Sequence, residues 1–376
     1  MPTADPKVSV IMPVYNAARF LREALDSVVS QTLQEIEIIL VDDGSTDESR
    51  QIMKQIQAAD DRVRIIEQAN AGAGVARNAG LEIARGEYLS FLDADDVFDH
   101  DMLAASSKRA SHLAADVIIF RCIDFSNKTG RQTINHNCNP SDFPKRQPFR
   151  FEDIAGNPFH IMGFTWDKLF RREFVLECGF EFQALPNAND ALFTYSAMLT
   201  AARIAFLNRF LVRRRLDTGQ NISHNFEHSW KAEWDYESAL KAFLESEGLW
   251  PRYAEHFLNA YAGHWVHRFA RLATPEVASD MFDFTLTHWL KEFPVLELEP
   301  NKIQPLHNRA VATLQRIAEY HPGEYEAFAA KQQQDPVDSL TSRLVAIASR
   351  GWRRAWTIRI WCSDRWRSLR SRGSCR

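Results

Sequence analysis

Three carboxylates, Asp93, Asp95 and Asp96, follow directly on the apolar run from Tyr88 to Leu92, with only Ala94 among them. Two ionised carboxylates about 4 Å apart in a partly shielded site repel by roughly 4 kcal/mol, so a cluster of this kind at a strand end needs something to hold it. A divalent cation shared with a polyanionic ligand would do so. The plainer reading is that Asp96 or Asp99 caps a helix from Asp101 to about Leu113 while the other carboxylates sit in water. A second acidic pair, Asp42-Asp43, closes another apolar run, Ile36 to Val41. Between the two lies a turn of small residues, Asn70 to Gly74. It either leads helix N-terminal N–H groups toward a phosphate, helped by Arg77, or simply turns the chain. Gly72 and Gly74 are followed by Arg77 and not by a third glycine, and GxxxxGK[ST] is absent, so neither the dinucleotide fingerprint nor a P-loop is present.

The elements that must position these residues are legible from periodicity. Lys7 to Pro13 reads as a buried strand, and Ala17 to Gln31 as a helix with Phe20, Leu21, Ala24, Leu25, Val28 and Val29 on one face and Asn16 as its N-cap. Ser45 to Glu48 fits a capping box for a helix reaching about Ala58. A strand from Val63 to Glu67, a helix from the small-residue turn to Ala84, and the strand before Asp93 complete about 95 residues of alternation. That pattern predicts a doubly wound, mainly parallel α/β sheet. Ligands of such sheets bind beyond the carboxyl ends of the strands, which gathers Pro13 to Asn16, Asp42-Asp43, the turn and Asp93 to Asp96 along one edge.

The segments KVSVIMPVYNAARFLREALDSVVSQTLQEIEIILVDDGSTDES and QANAGAGVARNAGLEIARGEYLSFLDADD resemble, in order, the N-terminal half of a family 2 glycosyltransferase with the GT-A nucleotide-sugar-binding fold. The resemblance implies that Val14, Asn16 and Asp43 or Asp42 hold the nucleotide base and that Arg77 and Asn78 lie by the base and phosphates. It also implies that Asp93-Ala-Asp95 is the DxD motif, with Asp93 near the ribose and Asp95 on the Mn²⁺ or Mg²⁺ that bridges the diphosphate. Phe164 to Phe170 is similar to the family's W-x-K-L-F segment and puts Trp166 under the acceptor sugar, although a large aromatic here also suits a core. Asp190 matches the Asp of the family's Glu-Asp pair, the base for the attacking hydroxyl, while Asn189 departs from the Glu. The alternative for either residue is a helix N-cap for Ala191 to Ala201. The basic stretch from Val212 to Asn225 stands where the family closes a loop over the diphosphate. Arg213, Arg214 or Arg215 is placed to reach phosphate and His224 to serve as a third metal ligand, but adjacent arginines on a strand alternate in direction, so at least one points away.

Composition bounds the rest. With 45% apolar and 25% charged residues the chain is ordinary globular protein. No run approaches 18 apolar residues and residues 1–6 lack a basic-then-apolar signal, so the expectation is a cytoplasmic protein, neither secreted nor membrane-spanning. Five scattered cysteines without a CxxC pair read as free thiols. The expected division is a catalytic domain over 1–225 (donor half 1–98, acceptor half 99–225), a helical region over 226–335 and a tail over 336–376. From Arg350 onward the tail carries nine arginines against Asp364, a local charge of +8 that leaves −12 elsewhere. Trp352, Trp356, Trp361 and Trp366 interleave with those arginines, the pattern of an amphipathic segment on the inner face of a cell membrane, placed there by residues 340–376. RNA binding or docking on the acidic body are the competing readings; nucleic acid is not expected, because a helical region separates the tail from the nucleotide site.

The function so implied is metal-dependent, inverting transfer of a sugar from a nucleotide diphosphate sugar to a hydroxyl of a glycan or lipid-linked glycan acceptor, such as lipopolysaccharide, capsule or exopolysaccharide. Two alternatives are a nucleotidyltransferase of similar fold, which normally carries a glycine-rich basic loop that Pro13 to Asn16 lacks, and a degenerate glycan-binding or scaffold subunit.

Overall fold

Strands β1 (Val8–Val14) and β2 (Ile36–Asp43) are buried along nearly their whole length, as strands covered on both faces must be. The computed structural model describes residues 6–334 apart from 137, 217, 219–225, 270, 271, 273 and 306. His224 and the tail 336–376 lie outside the described residues. With β3 (Val63–Gln68) and β4 (Tyr88–Phe91), these strands form the parallel order β3-β2-β1-β4, wound by α1 (Ala18–Val29), α2 (Ser49–Ala59) and α3 (Ala73–Ile83).

Beyond β4 the pairing becomes mixed. β5 (Val97–Phe98) follows the acidic turn directly, α4 (Met102–Leu113) leads to β6 (Val117–Phe125), and the polar stretch after it contributes a short hairpin strand, β7 (Gln132–Ile134). β8 (Lys168–Arg171) enters antiparallel between β4 and β6, and β9 (Ile204–Arg215) runs parallel to β6 and antiparallel to β5. The register Val97↔Arg213 draws the three arginines against the acidic turn. Between β8 and β9 lie α5 (Arg172–Cys178) and α6 (Ala191–Thr200).

The remaining described α-helices are α7 (Phe226–Ser246), α8 (Trp250–Phe269), α9 (Pro275–Phe284), α10 (Leu290–Glu292), α11 (Asn308–Ile317) and α12 (Tyr325–Gln334). The chain divides into two compact units, Met1–Trp265 with Glu297–His307, and Val266–Leu296 with Asn308–Arg376. In the first, Phe159 packs edge-on against Phe257 and Tyr261, and Asn259 holds the main chain at Lys302 and Gln304. In the second, Phe282, Tyr320 and Phe328 form an aromatic cluster.

Candidate active site

The loops leaving β1 and β2 brace one another. Asn16 adopts φ +48°, a left-handed conformation that asparagine tolerates better than most residues. Its amide oxygen accepts from Thr46 N at 2.8 Å, and its own N–H donates to Ser45 Oγ at 3.1 Å. Asn16 therefore does not cap α1. That helix begins one residue later and its first N–H groups go across to Ser49 Oγ and Asp47 Oδ2. Nor does Ser45 to Glu48 form a capping box, because Asp47 serves α1 and Ser45 serves the β1 loop. Val14 is buried and sits opposite Asp42 in the sheet.

The acidic pair at the end of β2 divides its work. Asp42 is fully buried and takes both Nε and Nη2 of Arg50, at 2.8 and 2.6 Å. Asp43 accepts from Gln68 Nε2 and from the N–H groups of Ala71 and Gly72, all at 2.7–2.8 Å. The small-residue turn thus spends its leading N–H groups on Asp43. Its glycines have separate reasons: Gly72 lies at φ +93°, and a Cβ on Gly74 would stand 2.1 Å from the Gln183 carbonyl oxygen.

At the end of β4, burial and the neighbouring charge of Asp93 push the Asp95 carboxyl up to about 6. Asp96 is buried and is pushed well above the usual range, first by burial and then by Asp95 and Asp93. Asp96 does not cap a helix; its Oδ1 accepts from the main-chain N–H of Arg215 at 2.8 Å. Crowded, partly shielded carboxylates of this kind are the hard oxygen set that a divalent cation relieves. Among the described residues, three metal-type ligands converge within 4.8 Å at Asp99, His100 and Asp101. There Arg209 already supplies a cation, holding Asp101 down to about 2 through two 2.7 Å bonds. The acidic turn offers fewer protein ligands than that, so a cation there would take its remaining oxygens from outside the chain.

Arg77 joins this corner to the segment before α6. It is nearly sheathed, donating Nη2 to Asp93 and Nη1 to Asn189, each at 2.7 Å, while its buried Nε meets no partner. Asp190 follows a strained Ala188 at φ +52°, the sort of conformation that accumulates at functional sites. It occupies the position before α6 but does not cap it. Burial pushes its carboxyl up to about 6, with Arg77 pulling down and Asp93 pushing up. A half-buried carboxyl at that value is suited to general-base work near neutrality.

The sequence model of Glycosyl transferase family 2 matches residues 9–177, and glycosyltransferase GlyG of Streptococcus pneumoniae serotype 4 is 31% identical over 236 residues, covering 59% of this chain and 75% of GlyG. The chain belongs to glycosyltransferase family 2. Glycosyltransferase GlyA of the same organism is 30% identical over 231 residues, 60% of this chain but 33% of GlyA. The uncharacterized glycosyltransferase EpsJ of Bacillus subtilis is 33% identical over 208 residues, 55% of this chain and 60% of EpsJ. The chain therefore spans less than two thirds of the length of either. Among solved structures, S. aureus TarS superposes with a TM-score of 0.62 at 21% identity, over 83% of this chain and 55% of TarS; this likeness supports the GT-A fold.

Within this family 2 glycosyltransferase, Arg77, Asp93, Asn189 and Asp190 come together. Asn78 is placed otherwise than its motif implies. Its Nδ2 donates to Phe182 O at 2.9 Å and its Oδ1 accepts from Phe182 N at 2.8 Å, so the side chain staples main chain. Trp166 is also placed otherwise, being 4% exposed, stacked on Phe164 and part of the hydrophobic core. The arginines alternate as a strand requires. Arg213 and Arg215 share a face over the Phe125 ring, the first exposed and the second fully buried, while Arg214 lies on the other face, over Trp166 and paired with Asp124 at 2.8 Å. Two features went unread in the sequence. Tyr15, half exposed at the end of β1, is an aromatic face beside the Asp42-Asp43 edge; the signal was a tyrosine in a turn of otherwise small or polar residues. The other is Lys168, wholly buried, with Nζ on Asp167 Oδ1 and on the carbonyls of Met162 and Phe164.

Proposed function

We propose that the enzyme transfers a sugar, with inversion, from a nucleoside diphosphate sugar to a hydroxyl of a surface-glycan acceptor, with Asp190 as the base. The reading is carried by the Asp190 carboxyl, pushed up to about 6 and left out of the helix cap, beside a guanidinium that also holds Asp93. Asp190 accepts the proton of the attacking hydroxyl while Arg77 limits the build-up of negative charge around it. Asp43, Asn16, Val14 and the exposed Tyr15 form the nucleoside end, and Asp93 lies on the ribose side. Asp95 would hold the Mn²⁺ or Mg²⁺, which when bound neutralises the charge growing on the leaving diphosphate. Of the basic strand, the exposed Arg213 is the residue left to meet a phosphate. The proposed division keeps residues 1–225 as catalytic domain, 226–335 as helical region and 336–376 as a membrane-surface tail; no helix among the described residues is long and apolar enough to cross a membrane.

TarS has been solved with UDP-GlcNAc, a donor of the class proposed here. The test is a survey of nucleotide sugars by thermal shift with and without Mn²⁺, followed by product analysis with glycan acceptors. A donor that stabilises the protein only with the metal, and whose transferred sugar carries the opposite anomeric configuration, supports the proposal. Retained configuration, or pyrophosphate released from a nucleoside triphosphate, overturns it.

A further inference from the structure

Arg215 is the last residue of β9 and its side chain is wholly buried. Its guanidinium lies between the rings of Phe20 and Phe125, 4.4 and 4.5 Å from their centroids. A hydrophobic residue would fill that slot without the several kcal/mol that sealing a charge away from water costs. What the arginine side chain supplies instead is one directed bond to the acidic turn and one to α1, while the main-chain N–H, which any residue at this position would offer, adds a second bond to the turn. Nε donates to the main-chain oxygen of Asp95 at 2.8 Å, the main-chain N–H donates to Asp96 Oδ1 at 2.8 Å, and Nη2 donates to Glu23 Oε2 on α1 at 2.7 Å. Nη1 is buried with no partner. Its neighbours are used differently: Arg214 pairs with Asp124 and lies over Trp166, and Arg213 lies over the Phe125 ring.

We propose that Arg215 is a positioning residue for the cation site, fixing the Asp95 main chain and the Asp96 side chain from behind so that the Asp95 carboxylate is held toward the donor, with Glu23 anchoring the guanidinium to α1. The turn from Leu92 to Asp96 links a four-residue strand to a two-residue one, and apart from the Asp96 N–H bond to Asp93 O at 3.3 Å it has little regular structure of its own. The antiparallel register of β5 on β9 brings Arg215 to it. Asp96 is then the acceptor by which β9 grips the turn, and Asp95 remains as the carboxylate free for a ligand.

This inference rests on Asp95 as cation ligand, so the experiment separates the two. Free Mn²⁺ is followed by electron paramagnetic resonance while Mn²⁺ alone is titrated into the full chain and into Asp95→Asn, Arg215→Lys and Glu23→Ala. The expected result is loss of the site in Asp95→Asn, about tenfold weaker Mn²⁺ binding in Arg215→Lys, the low end for residues that orient a metal's ligands, and a smaller weakening in Glu23→Ala. Glu23 is half exposed, so its variant keeps the question open to measurement should Arg215→Lys not fold. A rise in the Mn²⁺ concentration needed for half-maximal rate, with donor KM unchanged at saturating Mn²⁺, distinguishes positioning from general loosening. If Asp95→Asn binds Mn²⁺ like the parent, the cation reading itself fails and this proposal with it. If Asp95→Asn loses the site while the Arg215 and Glu23 variants bind at parental affinity, only the positioning role is overturned.

Discussion

Arg77 and Asn189, 112 residues apart in the chain, are joined by a 2.7 Å hydrogen bond from the guanidinium to the amide oxygen. A neutral acceptor there leaves the Arg77 charge to be balanced by Asp93, which it binds, and by Asp190, whose carboxyl it pulls down. Replacing Asn189 by Glu adds a like charge beside Asp190 and competes for Arg77, and both effects raise the Asp190 pKa. The acid limb of kcat/KM in Asn189→Glu is therefore expected about one unit above that of the parent, read from a pH–rate profile.

Asp190→Asn is expected to abolish transfer and to stabilise the fold. Removing a positioned base costs about 10²–10⁴-fold in rate. The stability effect follows from the raised pKa: the folded state holds the Asp190 proton more tightly than the unfolded chain between about pH 4 and 6. The parent therefore loses stability as pH rises through that window and stays penalised above it. Across a window that wide the penalty reaches on the order of 2–3 kcal/mol, so urea midpoints of parent and variant should coincide near pH 4 and diverge by pH 7.

Chelation provides the next test. EDTA is expected to remove turnover, Mn²⁺ or Mg²⁺ to restore it, and Asp95→Asn to be insensitive to both at a low residual rate. Calorimetry of the donor with and without metal shows whether its affinity depends on the cation.

Gly74→Ala forces a Cβ into the Gln183 carbonyl, 2.1 Å away. Backbone against backbone has no rotamer to relieve it, so a loss of about 1–3 kcal/mol is expected together with weaker donor binding, since α3 carries Arg77. Denaturant unfolding and donor titration measure the two.

Removal of residues 336–376, with their nine arginines from Arg350 onward, is expected to abolish sedimentation with anionic vesicles and to leave donor binding unchanged. Adding salt to the full chain should weaken vesicle binding in the same direction.

The strands of the parallel half were legible because burial on both faces leaves near-continuous apolar runs, as in Val8–Val14 and Ile36–Asp43. β8 was not, since a four-residue strand opening on Lys168 carries no periodicity. Nothing local announces that Asp167 and two carbonyls will enclose that ammonium. The acidic and basic residues of the site could be named from motifs, but not their partners. Asn16 and Asn78 resemble ligand contacts in sequence, yet Asn16 commits its amide oxygen to the N–H groups of Thr46 and Asp47, and Asn78 commits both ends of its amide to the main chain of Phe182, 104 positions away. Arg215 looked like one of three phosphate candidates; what sets it apart from Arg213 on the same face is its burial against Phe20 and Phe125 and its bond to Asp95 O, contacts made by residues distant in sequence.

Helix α3 touches the segment before α6 through three unlike contacts: the Asn78 staple to Phe182, the bare Cα of Gly74 on Gln183, and the Arg77 bond to Asn189. Two of the three are read by main chain, which substitutions on the far side cannot easily retune. A chimaera that took residues 1–98 from one relative and the following segment from another would inherit a mismatched seam there. Exchange of donor preference by grafting should therefore succeed only when α3 and residues 182–190 travel together as one piece.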